Sequence, residues 1–362
     1  MKVFEEGLLP EVYGLTRRLL DLVQVEFPAV PRPYAQLARR LGLEGPGGEA
    51  VVLEELDRLR AGGIVRRVGG VFDSRALGFA TTLAAARVPP ERLEAVAEAV
   101  NAYPEVTHNY AREGPLNLWF TLVARDRGRI QAILDELRAA TGVEFLEFPA
   151  GRVFKSRVVF RFGDDREERS ARRRPRKYPR VVAPAQPKPA GVFLPAAAAA
   201  AGPPPSQAQP DDVDRSLIRV LQGDLPGGLY PFREVATQIG LPHGEVLARI
   251  SAYRRRGWLR RLAAVVAHRR AGLTANAMAV WEVPEDRLAE AGRAVSALPE
   301  VTHCYSRAPA PGWPYRLYAM VHGSSREECL AVVRRASQAA GLSSRRVLFS
   351  LKEYKKTSPL YY

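Results

Sequence analysis

The sequence predicts an α+β protein made by tandem duplication, each copy a three-helix head with a strand wing followed by a sandwich of strands and helices. Three observations carry that expectation. A repeat runs through nearly the whole chain, each copy changes from helical to alternating periodicity, and a compositionally biased tether separates the copies. With 362 residues, 46% of them hydrophobic and 26% charged, the chain can build two or more separate cores.

The repeat emerges when the halves are laid together. Leu20, Gln24, Pro28, Pro33 and Gly42-Leu43 recur as Ile218, Gln222, Pro226, Pro231 and Gly240-Leu241, an offset of 198 as from Gln24 to Gln222. Gly63, Arg66-Arg67, Gly78 and Thr82 match Gly257, Arg260-Arg261, Gly272 and Asn276 at 194, and the run Pro104 to His108 matches Pro299 to His303 at 195. Small loop insertions account for the drift. Residues 163–212 hold a highly charged run and then a proline- and alanine-rich stretch. Such a segment buries little apolar surface per residue and is expected to be a flexible tether.

Apolar residues recur at three and four spacing over Leu15 to Leu22, Tyr34 to Leu41 and Val51 to Arg60, and again over Ser216 to Leu221, Phe232 to Ile239 and Glu245 to Arg254. These are three helices per copy, the third ending at Gly62-Gly63 or at Gly257. The following segments, from Ile64 and from Trp258, predict a short hairpin reaching Val71-Phe72 and Val265-Val266. Winged helix-turn-helix heads are therefore expected over 1–75 and 213–270.

Strands are predicted at Phe79 to Val88, Val106 to Tyr110, Asn117 to Ala124 and near Phe145, with helices at Glu91 to Asn101 and Arg127 to Thr141. The second copy answers with strands at Ala275 to Val283, Val301 to Tyr305, Leu317 to His322 and near Val347, and helices at Glu285 to Ala297 and Arg326 to Ala340. The order βαββαβ is the ferredoxin-like arrangement, expected over 76–162 and 271–362.

A net charge of +15 and a pI near 10.1 point to an anionic partner: nucleic acid, an acidic membrane, or a polycarboxylate or phosphate ligand. Two cysteines, Cys304 and Cys329, exclude a disulfide framework and a four-cysteine metal site, and fit a reducing compartment. The first residues carry acids where a signal peptide needs a basic region, and no apolar run approaches the ~18 residues of a membrane span. A cytoplasmic protein with no membrane partner is expected.

Two signatures carry chemistry. The first copy has Thr107-His108-Asn109-Tyr110-Ala111-Arg112, followed by Asn117-Leu118-Trp119-Phe120-Thr121. The second has Thr302-His303-Cys304-Tyr305-Ser306-Arg307, then Trp313-Pro314-Tyr315 and Leu317-Tyr318-Ala319-Met320. Because alternate residues of a strand share a face, His108, Tyr110 and Arg112 converge, as do His303, Tyr305 and Arg307. A helix-turn-helix ahead of a ferredoxin-like sandwich resembles the Lrp/AsnC regulators, whose sandwich dimerises and can hold small ligands. The paired signatures, with Leu221-Gln222, Asn276-Ala277-Met278, Val280-Trp281, Phe349-Ser350 and Glu353-Tyr354-Lys355-Lys356, resemble the siroheme decarboxylases. That family occurs as two related subunits or as natural fusions of both. One departure is Arg316, which stands where the family pattern has an asparagine before Leu317-Tyr318.

The resemblance implies loss of two acetate carboxyls from siroheme as carbon dioxide, giving 12,18-didecarboxysiroheme on the route to haem or d-type haem. It also implies siroheme as the partner, with its iron arriving inside the substrate and no separate cofactor required. A homodimer through the ferredoxin-like domains and further decarboxylase subunits are the protein partners it suggests. A site for such a substrate must combine cations with aromatic walls. His303 and His108 are the candidate proton donors. Arg307 and Arg112 are expected to hold carboxylates, Tyr305 and Tyr110 to hydrogen-bond or stack, and Trp313, Tyr315, Lys355 and Lys356 to add contacts in the second copy. No metal ligand set is assigned.

Each feature also has a plainer reading. A lone strand histidine is more often structural than catalytic; the recurrence of His-x-Tyr-x-Arg in both copies favours chemistry. Trp119, Phe120, Val280 and Trp281 read as core, and Cys304 as a small buried residue. His322 reads as an iron ligand, a site wall or a structural residue, and His268 and His243 as loop residues. The rival function is DNA binding by Arg249, Arg254, Arg255, Arg256, Arg260 and Arg261 around the second presumed recognition helix. Against it, the equivalent helix of the first copy carries Glu49, Glu54, Glu55 and Asp57, which repel phosphate, so DNA is an unfavoured partner. A haem or siroheme carrier that binds without reacting is the third reading.

Overall fold

The computed structural model describes residues 10–43, 45–156, 209–267 and 275–362. Most of the tether expected over 163–212, and His268, lie outside the described residues.

Copy 1 runs α1 (Pro10–Val23), α2 (Pro33–Leu41), α3 (Gly48–Ala61), β1 (Val65–Phe72), β2 (Ala80–Ala86), α4 (Leu93–Asn101), β3 (Val106–Arg112), β4 (Leu118–Ala124), α5 (Arg127–Thr141) and β5 (Phe145–Ser156). Copy 2 runs α6 (Asp212–Leu221), α7 (Pro231–Ile239), α8 (His243–Arg255), β6 (Leu259–Val266), β7 (Ala275–Trp281), α9 (Leu288–Ser296), β8 (Val301–Arg307), β9 (Leu317–Gly323), α10 (Arg326–Ala340) and β10 (Arg345–Lys356). The start and stop signals behave as their chemistry requires. Pro33 and Pro231 sit in the first turn of α2 and α7, where a missing N–H costs nothing, and Gly42 and Gly240 close those helices in the left-handed region.

The heads differ from expectation in one respect. Neither copy folds its wing into a hairpin; β1 and β6 are single eight-residue strands that pair antiparallel with each other, Gly69 opposite Ala263. Gly69 and Gly70 make no turn, since both lie within one continuous strand, opposite Ala263 and Leu262. They permit close approach instead: a Cβ on Gly69 would lie 2.1 Å from the carbonyl oxygen of Gly223 in the other copy. The pairing draws both heads onto one core, in which Leu19, Leu37 and Leu56 join Leu217, Val235 and Trp258.

Each sandwich has the ferredoxin-like strand order, β5-β2-β4-β3 and β10-β7-β9-β8, but neither sheet ends there. β5 and β10 have twelve residues against seven in their neighbours. Phe145 to Pro149 pair with β2, and Ala150 to Ser156 run on to pair with β8 of the other copy. Arg345 to Phe349 pair with β7, and Ser350 to Lys356 with β3. The exchange closes an eight-stranded barrel and leaves no sandwich edge unpaired among its strands.

Strand alternation sorts the side chains. Ala84, Ala86, Leu118 and Phe120 face α4 and α5, and Ala277, Ala279, Leu317 and Ala319 face α9 and α10. The opposite faces look into the barrel. One end of the barrel is plugged by Ala85, Trp119, Phe148, Val280, Trp313, Tyr318 and Leu348. The other end opens towards the β1–β6 ribbon. Residues 357–362 lie along that end, tied by paired hydrogen bonds between Tyr361 backbone and the Gln222 amide (2.8 and 3.2 Å) and by Arg67 Nη2 donating to Ser358 Oγ (3.0 Å).

Two outcomes follow from the shared barrel and ribbon. A protease site placed within residues 163–208 and cut should leave the halves co-eluting on size exclusion; their separation would contradict the shared barrel. Gly69→Ala should cost about 1–3 kcal/mol in denaturant unfolding, because the methyl meets a backbone oxygen that no side-chain rotation can move.

Candidate functional site

The open half of the barrel and the β1–β6 ribbon enclose a cavity of about 520 Å³, within the range of ligand pockets. Both signatures line it. β3 and β8 each turn their histidine, tyrosine and arginine inward, so His108, Tyr110 and Arg112 share the lumen with His303, Tyr305 and Arg307.

The two rows have the same internal geometry. His108 stacks against Tyr110 with ring centroids 6.3 Å apart, and His303 against Tyr305 at 6.1 Å, both at 24°. The Arg112 guanidinium lies 5.0 Å from the Tyr110 ring centre, and that of Arg307 lies 5.5 Å from Tyr305 and 5.6 Å from Tyr318. Each histidine Nδ1 meets the hydroxyl of the preceding threonine, Thr107 at 3.0 Å and Thr302 at 3.1 Å. The tyrosine hydroxyls are held from the crossing strands: Tyr110 donates to Glu353 (3.1 Å) and Tyr305 to Ser156 (3.0 Å).

The arginines are poised for an acceptor. Arg112 Nη1 donates to Ser350 Oγ (2.9 Å) and Arg307 Nη1 to the Phe148 carbonyl, while the Nε of each is buried without a hydrogen-bond partner. Burial, joined by Arg75 in the case of Arg307, holds both guanidinia down at about 10. An incoming carboxylate would satisfy such donors.

The field in the lumen is strongly positive. Among the described residues eight basic ones line the cavity, Arg66, Arg67, Arg75, Arg112, Arg260, Arg261, Arg307 and Lys356, against one acid, Asp73, which is paired with Arg260 at 2.7 Å. Burial, then Lys356, His303, Arg66 and Arg112, drive His108 down to about 3. Burial, then Arg260, Arg261, Lys356 and Lys155, drive His303 down to about 4. With no ligand bound, both imidazoles are neutral at pH 7.

Of the ten site residues expected from the sequence, the lumen gathers seven: the two His-Tyr-Arg rows and Lys356. Lys355 points away and donates to the carbonyls of Asn101 (2.9 Å) and Tyr103 (2.7 Å), where it satisfies the end of α4. Trp313 and Tyr315 are buried in the plugged end, Trp313 donating to the Tyr318 hydroxyl (2.9 Å) and packing at a tilt of 55° against Trp119. They support a wall of the lumen rather than face it. Arg316 ion-pairs with Glu285 (2.7 Å) at the surface, and its first-copy counterpart Asn117 braces the strand end against Val88, so neither reaches the lumen. Cys304, pushed up to about 12 by burial, packs under α9 and is no nucleophile.

The ribbon cations were not anticipated as site residues. Arg260 and Arg261 looked like a DNA-contacting wing, yet with Arg66 and Arg67 they form the roof of the cavity. Their recurrence as an Arg-Arg pair in both copies was the available signal. Three of the four remaining arginines of that cluster are engaged within the fold: Arg249 binds Asp214 (2.6 Å) and Glu245 (3.0 Å), Arg254 pairs with Glu26, and Arg256 covers the Trp258 ring. No group of three or more potential metal-binding side chains occurs among the described residues, and no described helix is long and apolar enough to cross a membrane.

Comparison with known proteins gives this geometry a family. Residues 76–155 and 270–355 match the AsnC-like ligand binding domain, and residues 16–66 and 214–260 match the siroheme decarboxylase NirDL-like HTH domain. A siroheme decarboxylase of Hydrogenobacter thermophilus is 33% identical over 349 residues, covering 95% of this chain and 94% of that protein. A siroheme decarboxylase alpha subunit of Desulfovibrio desulfuricans is 48% identical over 157 residues, 43% of this chain and 88% of that subunit. The crystal structure of the siroheme decarboxylase NirDL in co-complex with an iron-uroporphyrin III analogue superposes with a TM-score of 0.66 and 30% identity, covering 95% of this chain and 93% of that one. With both heads and both sandwiches matched, and a full-length relative at one-third identity, the chain belongs to the siroheme decarboxylase family in its fused, two-copy form.

Proposed function

We propose that this chain is a carbon–carbon lyase that removes acetate carboxyls from siroheme as carbon dioxide inside the barrel lumen. The observation that carries the reading is the facing pair of His-Tyr-Arg rows in a closed, overwhelmingly cationic cavity. A macrocycle fringed with carboxylates supplies the charge this cavity lacks, and aromatic rings flank its plane. The siroheme decarboxylase activity of the relatives and the relative solved with an iron-uroporphyrin III analogue support the same ligand class. The iron is part of the substrate, and no separate cofactor is needed for the step.

The step balances without one. The bond between an acetate methylene and its carboxylate breaks, carbon dioxide leaves, and the electron pair passes into the conjugated ring. A histidine proton then goes to the methylene carbon and leaves a methyl group. Arg112 and Arg307 hold carboxylates through their unsatisfied N–H groups and do not react.

The depressed imidazole pKa values make the proton donor conditional. At about 3 and about 4, neither histidine holds a second proton at pH 7 against the field of the surrounding cations. Carboxylates arriving beside Arg66, Arg112, Arg260 and Lys356 offset the field that repels it. Proton uptake is thereby tied to substrate binding. The intrachain barrel does within one chain what a sandwich dimer would do between two, and a reducing aqueous compartment, the cytoplasm, fits the two buried thiols.

Siroheme incubated anaerobically with the protein should yield a product two carboxyls lighter, identified by mass. His303→Ala and His108→Ala should each lower turnover by roughly 10²–10⁴-fold; unchanged turnover in both variants would eliminate the scheme. A pH experiment tests the field. Both folded-state values lie below the ordinary 6.5, so the unfolded chain binds protons that the folded chain refuses as pH falls from about 6.5 towards 4. Ligand-free stability should decline across that window, and the double variant His108→Gln/His303→Gln should flatten the decline; an equal slope in both proteins would contradict it.

A further inference from the structure

The two rows match internally, but the residues behind them do not. Strand register aligns β4 with β9 so that Thr121 answers to Met320 and Val123 to His322, opposite Thr81 and Asn276 respectively. Asn276 therefore answers to Thr81, one residue from the match suggested by the sequence repeat. In the same way Ser350 answers to Ala150 on the crossing strands. Three polar residues of the second copy thus replace three that cannot form the same links.

Those three residues join the copies by a chain of hydrogen bonds. Arg112 Nη1 meets Ser350 Oγ at 2.9 Å, Ser350 Oγ meets Asn276 Oδ1 at 3.4 Å, and Asn276 Nδ2 meets His322 Nε2 at 3.4 Å. His322 Nδ1 then meets Thr302 Oγ1 at 3.2 Å, and the same oxygen meets His303 Nδ1 at 3.1 Å. The guanidinium can only donate, and this orients the chain as far as the Thr302 hydroxyl. Ser350 must accept from Arg112, so its own hydrogen goes to the Asn276 carbonyl oxygen. That sets the amide, whose NH₂ donates to His322 Nε2, and His322 must carry its proton on Nδ1. The Thr302 hydroxyl satisfies all three of its partners in one arrangement, with its hydrogen on the Met320 carbonyl (3.3 Å) and its lone pairs accepting from both imidazoles.

The first copy lacks this lock. Thr107 Oγ1 donates to the Thr121 carbonyl at 3.4 Å and meets His108 Nδ1, but Val123 offers no second N–H to hold the hydroxyl in place. Its rotor can turn and donate to His108 instead, which permits the other tautomer.

We propose that His322 is a positioning residue that, with the chain from Arg112, locks His303 in the Nδ1–H form and so fixes Nε2 of His303 as the nitrogen that takes up and delivers the proton, while His108 exchanges between tautomers. The catalytic part of this inference rests on the decarboxylase reading; the tautomer lock does not.

The chain has five histidines, so ¹⁵N-histidine spectra of the ligand-free protein near neutral pH can be assigned by single substitutions. His303 should show one Nδ1–H form and His108 averaged shifts. His322→Val, which installs the residue the first copy uses, should average His303 as well; Ser350→Ala, which cuts the chain upstream, should do the same. His322→Gln, with a donor and an acceptor at one terminus, should restore the single form. In turnover, His322→Val should lower kcat about tenfold with little change in KM, and His322→Gln should recover most of it. Unchanged His303 shifts in both the valine and alanine variants would overturn the lock. An altered spectrum with normal kcat would overturn the positioning role. If the native protein leaves siroheme unconverted while the spectra change as expected, the decarboxylase reading fails and the lock stands.

Discussion

The closure of one barrel by strands from two copies is the constraint on which the rest of the molecule depends. A ferredoxin-like sheet has an exposed outer strand, and here the outer strands are β3 and β8, the two that carry the His-Tyr-Arg rows. Each is covered by the extended half of the other copy's last strand. The same pairing satisfies the edge backbone, sets the signatures in facing walls of one lumen, and brings Glu353 and Ser156 against the signature tyrosines. A sandwich alone would present either row to solvent on an open face.

Charge is the second organising force, and it works against stability in the absence of a ligand. Eight basic side chains around a cavity with one acid repel one another, and burial deepens the effect by removing water. The fold tolerates this because most of the guanidinia are tethered: Arg260 to Asp73, Arg261 to the Gln24 carbonyl at 3.0 Å, Arg67 to the Gly223 carbonyl at 3.3 Å. These anchors hold the cations in position while leaving their field in the lumen, as a site for a polycarboxylate requires.

Duplication also allowed the halves to diverge. The first copy keeps apolar Val123 and Ala150 where the second has His322 and Ser350, and its third helix is acidic where that of the second is basic. Only one half therefore needs the hydrogen-bonded support behind its histidine, and the other half anchors that support through Arg112.

The duplication, the helices, the ferredoxin-like order and the shared face of each His-Tyr-Arg row are all legible in the order of residues. Those follow from local periodicity and from the alternation of a strand, both properties of neighbouring residues. The sequence also carries the paired His-x-Tyr-x-Arg motifs that resemble the siroheme decarboxylases. Pairing between segments distant in sequence is a property of the folded chain. The β1–β6 ribbon in place of two hairpins, the exchange of β5 and β10, the Arg66-Arg67 and Arg260-Arg261 roof, and the withdrawal of Lys355, Trp313 and Tyr315 from the lumen all depend on which strand finds which partner. An extended segment has unsatisfied groups on both edges and does not encode locally whether its own copy or the other will satisfy them; that choice is made by the packing of the whole chain.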